Sequence, residues 1–295
     1  MNRLLLCCLP TLVFLASVAS VHSQTIGYWR FEGDAASYLS DSGPNALGPL
    51  VVGGTMPSPE DITDAGAGFN FPNPVPQNGM ANVQAANFGT TQSGHFAVFD
   101  TPAFTVSDFT IEAFVNLAED DTNEILYIAS QYNASNPNRS WAFGIGGGSG
   151  TRDQGELMLV LSDDGNSTSV IESNLATLLD VGDDYYVAAT YDETISDEVT
   201  FFIQNLTDNG DLMMATVPHS ITDLHDTSSP FRIGTYNNEA SRRWQGLIDE
   251  VRFSSGVLPA NQLLVAAVPE PSSLAIFVFV GVITGVAFVA RGRKR

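Results

Sequence analysis

Apolar and polar residues alternate along most of this chain. In FTIEAFVNL, residues 109–117, the odd positions are Phe, Ile, Ala, Val and Leu, and the even positions include Thr, Glu and Asn. A period of two residues predicts a half-buried β-strand. Ten further segments carry the same signal: 26–31, 95–99, 125–131, 141–145, 156–161, 185–191, 199–204, 212–217, 231–236 and 247–253. Many short strands separated by turns such as DDGN (163–166) and DNGD (208–211) predict an all-β, antiparallel sandwich or barrel.

Three segments depart from this rhythm. Residues 48–94 are rich in Gly, Pro, Asn and Ala, which predicts long loops with weak edge strands. The run GGGSG at 146–150 predicts a flexible loop, because neither a lysine nor a following helix completes a phosphate site. Residues 259–266 predict one short helix, with Pro259 in its first turn.

The first 23 residues predict a signal peptide. Arg3 precedes an apolar run over residues 4–18, and Val21 and Ser23 are small residues at the positions that a signal peptidase recognises, so we expect cleavage before Gln24. The two cysteines of the sequence lie within this run. The remaining body therefore has no disulfides and must depend on a packed core.

The other end predicts a transmembrane helix. Residues 272–290 carry no charged side chain, and a helix of that length rises about 28 Å, close to the thickness of a hydrocarbon core. Four cationic side chains follow at 291–295, and such a flank resists translocation. A buried core helix is the alternative, but a core helix does not normally end in four cations.

Charge limits the partners of the body, residues 24–267. It holds seven arginines, no lysine and 32 acidic side chains, a net charge of −25. Such a surface repels nucleic acids and anionic membrane surfaces, because phosphate contacts require cations that this body lacks. Solubility in a salty or extracellular setting accounts equally well for the acidity.

Several motifs, in this order, resemble the laminin-G-like, concanavalin A-like jelly-roll family. They are GYWRFE at 27–32, DSGPN at 41–45, FTIEAF at 109–114, GLIDEVRF at 246–253 and LPA at 258–260. The resemblance implies one jelly-roll domain over residues 24–267. Phe114 stands where relatives usually carry Trp, which we interpret as a conservative core change.

The tail, VPEPSS at 268–273 followed by the apolar span and RGRKR, resembles the PEP-CTERM sorting signal of Gram-negative bacteria. The resemblance makes Pro269, Glu270 and Pro271 the sorting motif. It implies that an exosortase processes residues 268–295, so that the helix anchors the chain in the inner membrane only transiently. The protein would then reach the cell surface or the extracellular matrix.

Catalysis is not expected from this sequence. Some concanavalin A-like relatives hydrolyse glucans with a strand-borne Glu-x-Asp-x-x-Glu, and that spacing occurs at 119–124. Its intervening residues are polar, which is typical of a solvated hairpin loop. A retaining pair also needs two carboxyl groups about 5 Å apart, which a loop does not secure. His219 and His225 lack the spacing of metal ligands.

Calcium is the one cofactor that the family resemblance implies, as a structural ion between the first loop and the last strand. Asp41 and Asp249 are the candidate carboxylates, with a carbonyl near Asn45 as a further ligand. In the alternative, Asp41 caps a turn and Asp249 pairs with Arg30 or Arg252.

Sugar recognition would require exposed aromatic rings, because the CH face of a pyranose stacks on them. Trp141, Tyr236 and Trp244 are the candidates, with core packing as the alternative for each, whereas Trp29 in the first strand is expected in the core. The sequence thus predicts a non-enzymatic binding module for extracellular polysaccharide. A structural matrix protein without a ligand pocket and, less favoured, a glycan hydrolase remain as alternatives.

Overall fold

The computed structural model describes residues 23–63, 68–90, 94–119, 124–147, 153–194, 196–237 and 242–267. No helix within these ranges is long and apolar enough to span a membrane. The predicted signal peptide, apart from Ser23, and the predicted sorting signal lie outside them.

The described residues form strands β1 Gln24–Trp29, β2 Val51–Gly54, β3 Ser58–Asp61, β4 Gln84–Asn87, β5 Gly94–Val98, β6 Phe109–Leu117, β7 Leu126–Tyr132, β8 Arg139–Ile145, β9 Leu157–Leu161, β10 Ser169–Glu172, β11 Asp184–Asp192, β12 Glu198–Asn205, β13 Met213–Pro218, β14 Phe231–Ile233 and β15 Gly246–Ser255.

Two antiparallel sheets pack face to face. The eight-stranded sheet has the order β13-β12-β11-β6-β15-β4-β3, with β1 also paired to β15. The seven-stranded sheet has the order β10-β9-β8-β7-β14-β5-β2. The predicted all-β, two-sheet class is confirmed, and every predicted strand is present with its ends shifted by up to three residues.

Four short strands were not predicted from the alternation of apolar and polar residues. β2 and β10 form the edges of the seven-stranded sheet, β3 forms an edge of the eight-stranded sheet, and β4 pairs next to β3. Each has only four residues, which is too short for a period of two to stand out. Three of them fall in residues 48–94, where the composition indicated loops with weak edge strands.

An aromatic core joins the two sheets. Trp29 of β1 stacks on Phe231 with ring centroids 4.8 Å apart, and Trp141 of β8 stacks on Phe253 at 5.3 Å. Phe109 of β6 lies 5.0 Å from Trp141. Stacked and tilted pairs of this kind stabilise a core beyond the apolar area that they bury. The expected core position of Trp29 is therefore confirmed.

The prediction that β6 is half-buried is wrong, because all nine of its residues are buried. Its odd positions face the other sheet, as the alternation indicated. Its outer face is covered by apolar side chains from two distant segments, among them Phe71, Leu258 and Leu264. Phe114 lies in this second layer, 5.5 Å from the ring of Tyr186 and 5.9 Å from that of Phe71.

Glu112 is the polar centre of this covered face. Its carboxylate is fully buried, pairs with Arg252 at 2.5 Å, and accepts the Tyr186 hydroxyl at 2.6 Å. The backbone N–H of Leu264 donates to it at 2.7 Å. One buried carboxylate thus ties β11, β15 and the C-terminal segment to β6, with its charge compensated as burial requires.

The helix expected over residues 259–266 is wrong. Only Ala260–Gln262 form a 3₁₀ turn. The backbone groups that a longer helix would use internally are engaged by the sheet, because Arg252 donates to the carbonyl of Gln262 and Leu264 donates to Glu112. Burial of Leu263 and Leu264 against the sheet therefore overrides helical propensity.

The buried network yields a stability prediction. Replacing Glu112 by Gln should lower the free energy of unfolding by about 3–5 kcal/mol, since it leaves the Arg252 guanidinium nearly buried without its counter-charge. Urea denaturation measures this difference. The control is Glu198→Gln at the partly exposed start of β12, which should change stability by less than about 0.5 kcal/mol. Equal effects of the two substitutions would contradict the role given to Glu112.

Candidate functional site

Two of the three aromatic residues predicted to bind sugar are core residues. Trp141 and Trp244 are both 0% exposed. The Trp141 ring lies between the sheets, and the Trp244 indole N–H donates to the carbonyls of Asn116 and Leu247 at 3.2 and 3.0 Å. The expectation that they offer exposed rings is wrong, because both side chains pack in the core between the sheets, Trp141 from the inner face of the predicted strand β8 and Trp244 from two residues before β15.

Tyr236 lies instead on the outer face of the seven-stranded sheet. Its ring centroid is 4.9 Å from that of Tyr127 and 5.5 Å from that of Tyr132. Tyr127 and Tyr132 belong to β7, and the neighbouring strand β8 places the small residue Ala142 beneath the rings. We call Tyr127, Tyr132 and Tyr236 the tyrosine cluster. Tyr132 is its most exposed member, since the other two are less than 9% exposed.

Two arginines flank the tyrosine cluster. The Arg139 guanidinium lies 5.8 Å from the Tyr132 ring centroid and that of Arg242 lies 5.7 Å from the Tyr236 centroid, both within cation–π range. Arg242 also pairs with Glu124 at 2.7 Å in a partly exposed ion pair. Aromatic rings edged by guanidinium groups offer stacking and hydrogen-bond donation at one place.

A second group of cations lies on the same sheet face. Arg232 of β14 stands opposite Ser130 of β7 and Ala97 of β5, and His95 lies two residues from Ala97 on β5. The His95 ring lies over Gly53, where any side chain would collide with it. Burial, followed by the charges of Arg243 and Arg232, lowers the pKa of His95 to about 4. His95 is therefore uncharged at pH 7, and we call it, together with the two guanidinium groups of Arg232 and Arg243, the cationic group.

The predicted calcium ligands have separate environments. Asp41 accepts the backbone N–H groups of Tyr28, Gly43 and Leu47 at 2.7–2.9 Å. This is the capping role that the sequence left open. The Asn45 side chain donates to the carbonyl of Ile26 at 2.9 Å. Both residues thus stabilise their own loop against β1.

Asp249 lies at a break in the pairing of β15. Before this point β15 pairs with β4, and after it with β1, and a bulge shifts the register with β6 between Asp249 and Arg252. Bulges re-aim side chains in this way. Asp249 is 0% exposed, and among the described residues neither of its carboxylate oxygens has a partner in hydrogen-bond geometry. It does not pair with the arginines suggested as alternatives, because Arg30 binds Glu250 and Arg252 binds Glu112.

Asn82 is the neighbour of Asp249 that sequence reasoning missed. It is also fully buried, and its amide lies near the Asp249 carboxylate but meets strict hydrogen-bond geometry with none of the described residues. Burial, and then the charges of Glu250 and Glu32, raise the pKa of Asp249 well above its usual range, although the nearby Asn82 amide favours the ionised form. The described residues contain no cluster of three or more His, Cys, Asp or Glu side chains that could hold a metal.

The glucanase-like spacing falls between strands. β6 ends at Leu117 and β7 begins at Leu126, so neither Glu119 nor Glu124 lies on a strand, and residues 120–123 lie outside the described ranges. Glu124 pairs with Arg242. His219 and His225 contact backbone carbonyls, those of Asp192 and Pro137 respectively.

An acidic cavity of about 390 Å³ opens at one end of the sandwich, lined in part by Asp163, Glu193 and Asp226. Two of these carboxylates hold its walls together. Asp226 accepts the Thr105 hydroxyl at 3.0 Å, and Glu193 accepts the Tyr191 hydroxyl and the Leu224 N–H at 2.9 Å. We therefore assign them a structural role.

Two antiparallel sheets in this order, closed by pairing of the first and last strands, define a concanavalin A-like sandwich. The chain belongs to the Laminin_G_3 family of the concanavalin A-like lectin/glucanases superfamily, whose model matches residues 89–263. No curated protein sequence matches the chain.

Solved structures share this fold at low sequence identity. One is domain 4 of AbnA, a GH43 extracellular arabinanase from Geobacillus stearothermophilus, in complex with arabinotriose. It has a TM-score of 0.54 and 15% identity, over 82% of this chain and 97% of that chain. Another is the binding domain of botulinum neurotoxin DC in complex with SialylT, with a TM-score of 0.51 and 12% identity. That match covers 81% of this chain and 50% of the other, so this chain spans half the length of that structure.

Proposed function

We propose that this protein is an exported, non-enzymatic module that binds extracellular polysaccharide through the tyrosine cluster. The observation that carries the proposal is the packing of the Tyr127 and Tyr132 rings against that of Tyr236, at 4.9 and 5.5 Å, on a sheet face edged by Arg139 and Arg242. The family membership and the arabinotriose complex of a similarly folded domain support it.

The chemistry of the cluster suits a sugar ring. A pyranose presents a CH face that packs on an aromatic ring and hydroxyl groups that accept and donate hydrogen bonds. Tyr132 supplies the partly exposed ring, and Arg139 supplies donors beside it. Binding needs no bond-breaking group there, and the two glutamates of the glucanase-like spacing lie off the strands.

The structural matrix protein and the hydrolase remain the competing functions. A matrix protein without a pocket would bind no defined glycan, whereas a hydrolase would shorten one. Turnover of a polysaccharide that is lost on Glu119→Gln or Glu124→Gln would establish the hydrolase.

The binding proposal predicts the effect of losing one ring. On a glycan array, the full chain purified in nonionic detergent should bind a subset of polysaccharides, and Tyr132→Ala should weaken that binding about three- to tenfold, since an aromatic contact contributes about 0.5–1.5 kcal/mol. Tyr132→Phe is the matched control, because it keeps the ring, and should retain most of the affinity. Absence of binding to every glycan by the wild-type chain would favour the matrix protein.

We infer that the body holds a structural Ca²⁺ at Asp249. The unpartnered, buried oxygens of Asp249 and Asn82 fit a hard cation, which prefers carboxylate and amide oxygens. Asp41 and Asn45, included in the sequence-based prediction, are engaged with backbone groups and contribute by shaping the adjacent loop. A bound cation would supply the counter-charge that Asp249 lacks.

Calcium should stabilise the wild-type chain specifically. The pKa of Asp249 is higher in the folded than in the unfolded chain, so the metal-free protein loses stability as pH rises through the folded-state pKa. Asp249→Asn removes this loss and should therefore raise the melting temperature of the metal-free protein at pH 7.5 in EDTA. Added Ca²⁺ should raise the wild-type melting temperature, by an amount equivalent to about 2.7 kcal/mol at a hundredfold excess over Kd.

The control for calcium separates a site from general screening. NaCl of matched ionic strength should have a smaller effect, Asp249→Asn should abolish the Ca²⁺-specific rise, and the exposed Asp211→Asn should retain it. Similar rises in both salts and in all three proteins would exclude the site.

We further propose that the signal peptide exports the chain and that an exosortase removes the tail after the Pro269–Pro271 motif. Intact-mass analysis of the surface-delivered form should show a chain that begins at Gln24 and ends near Pro271. Glu270→Ala should leave the chain in the membrane fraction, while Glu198→Gln should be processed normally. A surface form that retains residues 272–295 would refute the processing.

A further inference from the structure

The arginines of this acidic protein are distributed unequally between its two outer faces. On the eight-stranded sheet, Arg30 and Arg252 each pair with a buried glutamate, at 2.8 and 2.5 Å. On the seven-stranded sheet lie four more of the body's seven arginines: Arg139, Arg232, Arg242 and Arg243. Among these four, Arg242 pairs with Glu124 at 2.7 Å in a partly exposed ion pair.

Arg232 is the least compensated of these cations. It is 3% exposed, its Nη1 donates to the carbonyls of Tyr132 and Pro230 at 2.9 and 3.3 Å, and its Nε has no partner. Among the described residues no carboxylate pairs with Arg232, and burial lowers the pKa of its guanidinium. Burying an uncompensated charge is costly, and native proteins retain such groups chiefly where a ligand uses them.

His95, on the adjacent strand β5, is also a buried side chain with an unpaired nitrogen. It is 5% exposed, and its Nδ1 has no hydrogen-bond partner. The charged groups that act on it are Arg232 from β14 and Arg243 from the segment before β15, and both are cations. The fold thus brings a second buried and unsatisfied nitrogen to a place of positive potential.

The cationic group adjoins the tyrosine cluster. Arg232 donates to the backbone carbonyl of Tyr132, and Arg243 forms a parallel β-bridge with Tyr127. A ligand seated on the tyrosine rings therefore lies beside the cationic group, with Arg139 and Arg242 along the rings. Guanidinium groups bind carboxylate and sulfate with paired hydrogen bonds, so an anion at this place would offset the buried charge of Arg232.

We propose that this face binds an acidic polysaccharide, whose anionic substituent is held by Arg232 and His95 while its sugar rings pack on the tyrosine cluster. The proposal rests on the polysaccharide-binding function and specifies its ligand class. It also explains how a body of net charge −25 could bind a polyanion, because the contact is confined to the one face where its arginines gather.

The test compares polymers that differ in charge alone. The full chain in nonionic detergent is titrated with polygalacturonate, with its fully methyl-esterified form, with dextran sulfate and with dextran. We expect at least tenfold tighter binding of a charged polymer than of its neutral counterpart, and the pair that shows the difference identifies carboxylate or sulfate as the group. Equal affinity within both pairs overturns the acidic specificity and leaves polysaccharide binding intact, whereas no binding to any of the four polymers overturns both.

Arg232→Met is the decisive variant, since it replaces a buried cation by an apolar side chain of similar length. We expect its melting temperature to stay within a few degrees of wild type, because removal of an uncompensated charge offsets the two lost hydrogen bonds, and its preference for charged polymers to disappear. Arg232→Lys should retain part of that preference. Unchanged selectivity in a folded Arg232→Met variant overturns the proposal.

His95 provides a readout in the unmutated chain. Followed by NMR, its pKa should rise by about 1–3 units on saturation with the charged polymer, because an adjacent anion favours the imidazolium. The neutral polymer should leave it unchanged. Proton uptake on binding also means that affinity for the charged polymer increases as pH falls from 7 to 5, and His95→Gln should flatten that dependence. A His95 pKa that does not respond to the charged polymer overturns the assignment, whatever the stability of the variants.

Discussion

Pairing of the last strand, β15, with the first strand, β1, is the constraint on which the rest of the structure depends. β15 pairs with β6 along one edge and with β1 and β4 along the other. The ladder between β1 and β15 joins residues more than 200 positions apart, so the sandwich closes only when the last strand is in place. The same strand supplies Phe253 to the aromatic core and Arg252 to the buried carboxylate of Glu112.

Along one edge β15 pairs first with β4 and then with β1, and the bulge at Asp249 lies between these two paired stretches. Between the stretch paired with β4 and the stretch paired with β1, the backbone adopts a left-handed conformation at Glu250, with φ of 50°. Asp249 and Glu250 are both buried at this point, and their surroundings differ. Glu250 gains the Arg30 guanidinium, whereas Asp249 keeps two oxygens without partners. Backbone strain at Glu250 and an unpaired buried carboxyl group at Asp249 therefore lie side by side in β15.

The two outer faces of the sandwich show different uses of charge. The eight-stranded face is covered by apolar segments, and its buried arginines are neutralised by carboxylates. The seven-stranded face carries tyrosine rings beside guanidinium groups, and within the described part of the chain Arg232 has no acidic partner although the body is strongly acidic. Stability alone would favour an apolar residue at 232, and this is the reason for proposing a ligand there.

The sequence by itself determined the fold class, eleven of the fifteen described strands and the core position of Trp29, because a period of two residues is local and reports which side chains share a face. Tertiary structure decided what covers each face. It alone buried the outer side of β6, placed Trp141 and Trp244 in the core, and turned the expected helix after Pro259 into a single 3₁₀ turn. It also assembled His95, Tyr132 and Arg232 from three separate strands, because alternation gives the direction of a side chain but not the identity of its neighbours across a sheet.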